Sequence, residues 1–362
     1  MNIFNYFATI TQTFSNIFYI IIAILILLSM ITIHEFGHYL AGKKLGFKIN
    51  EFAVGFGKKL YSKKLKNGEE FSLRLFPLGG YCAFEGEDAD SKNPLAFNNQ
   101  KPWKRLIVLS AGAIFNFVSA ILFAIILLTA YGYDIPKVVT LEPTSQNIVV
   151  EQIGETWYGL QPNDVIWEVN GEKINFVNDH TLNYLLSQYE TGEDIVLTIT
   201  RNGQKMQTVV QLYDVTENEV TRQILGISIK AYAFPFFQAV ARSIPFTFGM
   251  AWKILSFLWL LIIGKVGLSG VGGPITTITT IATYTQASLA GFLVLLPLIA
   301  ANLAVFNLLP FPALDGSRMV FVGVEWVRGK PINPKIEGMI HFVGLILLLA
   351  LVFVADLFQL LT

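Results

Sequence analysis

The sequence has a single cysteine, Cys82, and few charged residues. One cysteine excludes an internal disulfide framework and a metal site built from a cysteine cluster. Charged residues make up 14% of the 362 residues and sum to a formal net charge of zero, so the charge balance does not indicate a nucleic-acid partner. Hydrophobic residues make up 53%, which is too many for an ordinary soluble domain and indicates a membrane protein.

The apolar run at residues 17–33 leads directly into His34-Glu35-Phe36-Gly37-His38. A bilayer core of about 30 Å needs about 20 helical residues, so the run predicts a membrane-spanning helix with His34 near its far end. The stretch lacks the basic start and the small-residue cleavage site of a signal peptide. We therefore expect it to remain part of the protein.

His34 and His38 are four residues apart, so on a helix they lie on the same face, one turn apart. This spacing predicts that both imidazoles bind one zinc ion, with Glu35 placed to accept a proton from a metal-activated water. Two histidines and an ordinary glutamate on a helix are the alternative interpretation. Ionisable residues beside a spanning segment are costly and usually functional, which favours the metal site.

The segment from Lys43 to Arg105 is rich in lysine and arginine, which predicts a cytoplasmic loop. We therefore expect the N-terminus outside and the histidines toward the cytoplasmic face. Within this loop, residues 51–57 and 70–77 are predicted strands that Asn67-Gly68 connects in a hairpin turn. Their apolar ends either dip back toward the bilayer under a cover of protein or belong to a solvated hairpin.

Three more apolar segments, at 106–131, 291–309 and 341–361, predict spanning helices. The segment 246–264 is also apolar, but Lys253 interrupts it, and a further span there would place the later basic residues outside. We expect that segment to lie on the membrane surface. The predicted fold class is a polytopic α-helical membrane protein with four transmembrane helices, a cytoplasmic membrane-associated β-hairpin region and an extracytoplasmic α+β domain.

This topology divides the chain into membrane parts at 1–132 and 233–362 and an extracytoplasmic domain at 133–232. The domain is predicted to contain several short strands and a helix at 179–189, an order that resembles a bacterial PDZ domain. A peptide could add to an open strand edge of such a domain. A spacer domain without a ligand is the alternative. We expect His180 to be a structural or surface residue and not a zinc ligand.

Asp315 follows the helix at 291–309 and is predicted to lie on the same side of the membrane as His34 and His38. Two histidines, one carboxylate and an open position for water form a catalytic zinc set. The alternative is an ordinary polar residue near a helix end. In the second apolar helix, Gly112 and Asn116 permit a close helix contact with a hydrogen-bonding side chain, which leaves simple packing and a site role equally open.

These residues and motifs resemble those of the site-2 proteases, the zinc intramembrane metalloproteases of bacteria, in the subgroup with one PDZ domain between the second and third spans. The resemblance covers nearly the whole chain. The motifs that carry it are His34-Glu35-Phe-Gly-His38, Val54-Gly-Phe-Gly57, Pro77-Leu-Gly-Gly-Tyr81, Gly112 to Asn116, Asn307-Leu-Leu-Pro310 and Leu314-Asp-Gly316. Two departures, Ala113 where proline is usual and Ser317 where a second glycine is common, affect no proposed ligand.

The resemblance implies zinc held by His34, His38 and Asp315, with Glu35 as the general base. It also implies residues that hold an unwound substrate, among them a strand edge at 52–56 or 71–75. The substrate-binding residues expected on this basis are Asn116, Asn302, Asn307, Phe52 and Phe71.

The resemblance further implies where the protein works and what it cleaves. The expected location is a bacterial cell membrane, with the PDZ domain outside and the active site toward the cytoplasm. The expected partners are the lipid bilayer and single-span membrane proteins already trimmed outside, such as anti-sigma factors and remnant signal peptides.

Two other functions stay open at this point. A membrane protein that binds or transports zinc without hydrolysis would need no general base at Glu35, and an inactive scaffold that binds peptides would need no intact ligand set.

Overall fold

The computed structural model describes residues 3–361 except 88–90, 144, 177, 218–219 and 268–270. Its helices are α1 (Ile3–Leu45), α2 (Pro102–Ala130), α3 (Leu182–Leu186), α4 (Phe236–Ile262), α5 (Pro274–Ala287), α6 (Leu289–Leu308), α7 (Asp315–Arg328) and α8 (Pro334–Leu361). The chain forms two compact units, one made of residues up to 124 together with those from 250 onward, the other of residues 125–249.

The strands follow in chain order. They are β1 (Ile49–Lys64), β2 (Glu70–Phe84), β3 (Pro136–Leu141), β4 (Glu151–Ile153), β5 (Thr156–Tyr158), β6 (Val165–Val169), β7 (Glu172–Lys173), β8 (Ile195–Arg201), β9 (Gln204–Val210), β10 (Tyr213–Glu217), β11 (Val220–Ile224) and β12 (Ile227–Ala231). The first two belong to the first unit, and the others belong to the second.

Among the described residues, five helices are long and apolar enough to cross a membrane: α1, α2, α4, α6 and α8. The chain is therefore a multi-pass membrane protein, as the sequence predicts. The helix α4 is the least apolar, with a mean hydropathy of 1.5 against 2.4 to 2.7 for the other four. It is continuous through Lys253 and begins at Phe236, ten residues before the apolar segment recognised in the sequence.

The helix α5 packs against α1 and α6 and was not anticipated as a helix. Pro274 occupies its first turn, where the fixed φ of proline suits a helix start and the missing N–H costs nothing. Asp356 of α8 caps it, accepting hydrogen bonds from the backbone N–H groups of Ile275 at 3.1 Å and Thr276 at 3.0 Å. Backbone N–H groups at the start of α5 offset the negative charge of Asp356. This contact explains how an acidic residue can be buried near the end of α8.

The strands β1 and β2 each bend in the middle and together form a sheet of four segments. Residues 49–54 pair with 80–84 on one side and with 70–73 on the other, and 70–74 pair in turn with 59–64. The bend in β1 falls at Gly55 and Gly57, whose φ angles of +88° and +82° are strained for any residue with a side chain. A Cβ atom on Gly55 would lie 2.8 Å from the carbonyl oxygen of Phe76, so the two bends interlock.

This pairing corrects the expectation that residues 52–56 or 71–75 present a free strand edge. Phe52 pairs with both Cys82 and Phe71, and Leu73 pairs with both Val54 and Tyr61, so these segments are interior. The expectation failed because a simple hairpin has a free edge along each strand. In this structure both strands fold back, so one half of each strand lies between two neighbouring segments. The outer segments are 80–84 and 59–64.

One carboxylate connects the four segments. Glu51 accepts hydrogen bonds from Ser72 at 2.5 Å, Arg74 at 2.9 Å and Tyr81 at 3.0 Å, and lies 3.3 Å from the ammonium group of Lys59. Burial alone would raise the pKa of Glu51, but these donors outweigh it and lower the pKa to about 2. The charge is therefore kept at neutral pH and fixes the bends.

The second unit is built on a sheet with the strand order β12-β3-β6-β8-β9-β5-β4, with β7 paired to β6. Its core side chains, Ile166, Ile195, Leu197 and Ile199, are fully buried. The predicted hairpin of β8 and β9 turns at Asn202 and Gly203, both with positive φ, and the predicted closing strand is β12. The helix expected at 179–189 is shorter: α3 starts after its N-cap Thr181 and covers Leu182–Leu186.

A buried ion pair fixes the turn before β6. Arg201 donates to Asp164 from Nε at 3.0 Å and from Nη2 at 2.7 Å, and the Nη2 atom also donates to the carbonyl oxygen of Gly159 at 3.0 Å. Asp164 is 1% exposed, so the fork geometry of arginine is needed to satisfy a charge that water cannot reach. The pair fixes how this loop lies against the end of β8.

Candidate metal and catalytic site

The two histidines of the apolar helix lie on one buried face of α1. His34 and His38 are 6% and 7% exposed, and their Nε2 atoms are 3.2 Å apart. The Nδ1 atom of His38 lies 2.8 Å from the carbonyl oxygen of Val108 in α2. A carbonyl only accepts, so Nδ1 carries the proton and the lone pair of Nε2 is left for a metal ion.

Asn116 of α2 supports the other histidine. Its side-chain amide lies 3.3 Å from Nδ1 of His34, and the residue is 0% exposed. The oxygen Oδ1 of this amide is buried and has no hydrogen-bond partner. A half-turn of the amide would let Oδ1 accept the Nδ1 proton of His34 and would free its Nε2 for a metal, as in His38.

Asp315 completes the cluster from the first position of α7. Its Oδ2 atom is 3.0 Å from Nε2 of His34 and 3.2 Å from Nε2 of His38. Burial opposes the charged carboxylate, but the two histidines outweigh it and hold the pKa of Asp315 below its usual range. All three ligand atoms lie within 4.8 Å of one another, and two imidazoles with one carboxylate are a donor set that zinc prefers. The residues present therefore fit a zinc ion.

The loop before α7 sets where this carboxylate points. Pro310 and Pro312 keep the chain extended after α6, and Ala313 has a φ of +79°. Gly316 follows directly after the ligand, and a Cβ atom there would collide with the carbonyl oxygens of Leu308 and Leu309. The glycine of the Asp-Gly pair is thus required by the tight packing of α7 on the end of α6.

Two glycines bring α1 and α2 close enough for these contacts. A Cβ atom on Gly37 would meet the backbone of Ala111, and one on Gly112 would fall on Nε2 of His38 and Cε1 of His34. The second apolar helix thus packs directly on the histidine pair. Gly112 contributes to the site because the absence of a side chain lets α2 approach both imidazoles.

Glu35 lies beside the three ligands without belonging to their cluster. Its Oε2 atom accepts the backbone N–H of Cys82 at 3.0 Å, and its Cγ atom is 3.6 Å from the position of a Cβ on Gly80. The carboxylate therefore lies between the ligand cluster and the outer sheet segment 80–84. It is placed near the metal position without joining the ligand set.

A cavity of about 630 Å³ opens beside the cluster. Glu35, His38 and Asp315 contribute to its wall, together with Arg318 of α7, which is ion-paired to Glu87. Such a space is large enough for water and a length of extended peptide. Among the described residues, the wall includes none of Asn302, Asn307, Phe52 and Phe71.

The other predicted substrate-binding residues lie elsewhere in the same unit. Asn302 is exposed on α6, and the side chain of Asn307 donates to the carbonyl oxygen of Leu303 at 3.0 Å. The rings of Phe52 and Phe71 stack with centroids 6.2 Å apart. Their role in substrate binding stays a prediction.

Two contributors to the site were not identified from the sequence. Val108 acts through its backbone carbonyl, which every residue possesses, and Cys82 acts through its backbone N–H, which every residue except proline possesses. Their residue types therefore give no signal. Only the neighbouring motifs, at Gly112 and at residues 77–81, could have drawn attention to them.

Comparison with known proteins agrees with this geometry. A model of peptidase family M50 matches residues 22–351. The chain is 31% identical to a Clostridium perfringens protein named as a zinc metalloprotease, over 92% of this chain and 96% of that one. It is 28% identical to the zinc metalloprotease RasP of Oceanobacillus iheyensis, over 90% of this chain and 94% of the relative.

The contact of Gly112 with both imidazoles gives a first test. Gly112→Ala should weaken zinc binding by about tenfold or more, because the added methyl group displaces the ring atoms that bind the metal. Intrinsic helix propensity favours the substitution by about 1 kcal/mol, so a loss of zinc would not reflect a weaker helix. Competition against a coloured chelator measures the affinity of the purified protein.

The matched control is Gly338→Ala in α8, where an added Cβ meets no atom within 4 Å. This variant should bind zinc like the unaltered protein. Equal zinc affinities for the two variants would show that Gly112 does not contact the site as described.

Proposed function

From the premise that the chain belongs to peptidase family M50, the site-2 protease family, we propose that His34, His38 and Asp315 bind its zinc and that Glu35 is its general base. The protein is an intramembrane zinc metalloprotease. The observation that carries the residue assignment is the convergence of three ligand atoms within 4.8 Å, with Glu35 beside them but directed toward segment 80–84.

A zinc ion held by His34, His38 and Asp315 would polarise the substrate carbonyl group and would lower the pKa of water, so that a hydroxide nucleophile is available near neutral pH. The protein supplies the remaining parts. Val108 and Asn116 fix the tautomers of the two histidines, and we propose this orienting role for Asn116 in place of direct contact with substrate, because its side chain is fully buried. Glu35 accepts the proton from the attacking water and passes it to the leaving nitrogen.

Glu35→Gln separates the base from the ligands. The variant should keep about one zinc per chain and lose cleavage by at least about a hundredfold, because general-base catalysis contributes about 10² to 10⁴ in rate. Cleavage of a co-expressed single-span reporter and metal content of the purified protein measure the two properties. The surface substitution Glu193→Gln should alter neither. Full cleavage by Glu35→Gln would refute the assignment of Glu35 as the general base.

We propose that the substrate is a single-span membrane protein, such as an anti-sigma factor or a remnant signal peptide, bound as an added strand along segment 80–84. A substrate helix hides its carbonyl groups in its own hydrogen bonds and must unwind before attack. Unwound backbone needs new partners inside a membrane. Among the described residues, segment 80–84 pairs with another segment on one side only and lies next to Glu35, whereas segments 52–54 and 71–73 are paired on both sides.

The inactive Glu35→Gln protein allows this edge to be tested with uncleaved substrate. A photoreactive side chain at Tyr81 should crosslink to the reporter, and one at Lys63, on the opposite outer segment, should not. Crosslinking at Lys63 alone would place the substrate at the other edge of the sheet.

We propose that the active site opens toward the cytoplasm of a bacterial cell and that residues 133–232 lie outside. Support comes from the basic residues that cluster between Lys43 and Arg105 and again from Arg318 to Lys335. On this topology four helices cross the membrane and α4, the least apolar of the five, lies along its surface.

Cysteines introduced at Ser62 and Arg328 should react with a membrane-impermeant thiol reagent only from the cytoplasmic side, and one at Asn202 only from outside. Cys82 should contribute little background, because it is buried and burial raises the pKa of its thiol. Labelling of Asn202 and Ser62 from the same side would refute the proposed topology.

We propose that the second unit is a PDZ domain that excludes substrates still carrying a folded outer domain. Its strand order leaves β12 at the edge of the sheet, as such a domain requires. A second role, binding a peptide end, is favoured by a groove of about 540 Å³ between α3 and β12, lined by Leu182, Leu186, Ile227 and Ile229. These four side chains form an apolar part of the groove, which suits a hydrophobic side chain at a peptide end.

Replacing residues 136–228 with a short flexible linker distinguishes the two roles. The shortened protein should bind zinc normally and should cut a reporter that still carries a folded outer domain, which the full chain should reject. Trimmed and untrimmed forms of one reporter are compared in both proteins. If the shortened protein keeps its zinc but fails on the trimmed reporter, the domain recruits substrate instead of excluding it.

A further inference from the structure

The helix α8 carries none of the three ligands, yet it supports the loop that carries Asp315. Gly344 lies against this loop: a Cβ atom there would fall on the Pro312 side chain and would lie 3.1 Å from its Cα atom. No larger residue at position 344 would let α8 approach so closely. The loop between α6 and α7 therefore rests on the surface of α8.

His341 lies one turn before Gly344 on the same face of α8. Its Nδ1 atom accepts the backbone N–H of Ala313 at 3.1 Å. Its ring also packs beside Phe321 of α7, with ring centroids 5.4 Å apart. One side chain thus contacts both the loop before the ligand and the helix that begins with it.

Ala313 is the strained point of this loop. Its φ of +79° lies in the left-handed region, which a residue with a Cβ atom adopts only when its surroundings enforce it. The hydrogen bond to His341 uses the N–H of this same residue. Two residues later the chain reaches Asp315, so a change of φ at Ala313 would swing the carboxylate away from His34 and His38.

We propose that His341 is a positioning residue for zinc binding: by accepting the Ala313 N–H, it holds the left-handed backbone that aims Asp315 at the histidine pair. The inference rests on the proposed function only in taking Asp315 as a ligand. Hydrogen bonds that orient a metal ligand without touching the metal are commonly worth about 10- to 100-fold in metal affinity. The same hydrogen bond explains how an alanine, which disfavours positive φ, can occupy position 313.

The test measures zinc affinity of the full-length protein in detergent by competition with a coloured chelator, without any activity assay. His341→Phe keeps a ring beside Phe321 but removes the acceptor, and should weaken zinc binding by about tenfold. His341→Asn places an amide oxygen close to the position of Nδ1 and should recover most of the affinity. A merely structural role for the ring would give the opposite order.

A second substitution tests the backbone. Glycine adopts positive φ without strain, so Ala313→Gly added to His341→Phe should restore zinc affinity, although it restores no hydrogen bond. Ala313→Val, with His341 intact, should weaken zinc binding, because a β-branched residue tolerates this φ poorly. Met339→Leu, on an exposed part of α8, is the control and should change nothing.

The outcomes separate this inference from the proposed function. If Asp315→Asn leaves zinc affinity unchanged, the proposed ligand set is wrong. If Asp315→Asn weakens binding but His341→Phe does not, or if Ala313→Gly fails to rescue His341→Phe, only the positioning role is overturned. If His341→Phe does not fold, Ala313→Val still tests the positioning role. A zinc affinity of Ala313→Val equal to that of the unaltered protein would overturn it.

Discussion

Burying His34 and His38 in an apolar helix is the constraint on which the rest of the membrane unit depends. Each imidazole has two nitrogens that need partners, and lipid offers none. The partners come from Val108 and Asn116 on one side of the rings and from Asp315 on the other. The hydrogen-bonding requirements of these two histidines therefore fix the positions of α2 and α7 relative to α1.

The same requirement extends beyond the ligands. The carboxylate of Glu35 uses a backbone N–H from the sheet, so the sheet is also tied to the helix. Glu51 then fixes the sheet internally, and the loop before Asp315 rests on α8. Hydrogen bonds between elements thus connect the sheet and α8 to the metal position, while apolar contact fills the space between the helices.

The sequence was sufficient to predict the parts of the site that depend on side-chain identity and helical spacing. The helix with His34 and His38, the role of Asp315 as their neighbour and the membrane class of the protein followed from motif and topology. The course of β1 and β2 did not, because glycine bends at Gly55 and Gly57 are compatible with either a flat or a folded-back hairpin. The pairing of residues 49–54 on both sides depends on contacts distant in sequence, which alternation does not encode.

Other contributions could not be predicted because they come from the backbone or from an absent side chain. For Gly112 the sequence left simple helix packing and a site role equally open, and its packing on both imidazoles is visible only in the folded structure. The stretch before α5 is rich in glycine and proline and therefore resembles a loop in the sequence. The contact by which Asp356 caps the start of α5 is visible only in the folded structure. In each case the missing information was a long-range partner for a backbone group.

The carbonyl of Val108 illustrates which sequence changes a backbone hydrogen-bond partner tolerates and which it does not. A backbone carbonyl is present whatever the side chain, so a substitution of Val108 need not remove the acceptor of the His38 ring. A single inserted residue in the turns of α2 before Val108 is different, because it would rotate the carbonyl by about 100° and shift it by about 1.5 Å relative to the start of the helix. The site is thus buffered against point substitution at this position and sensitive to insertion or deletion.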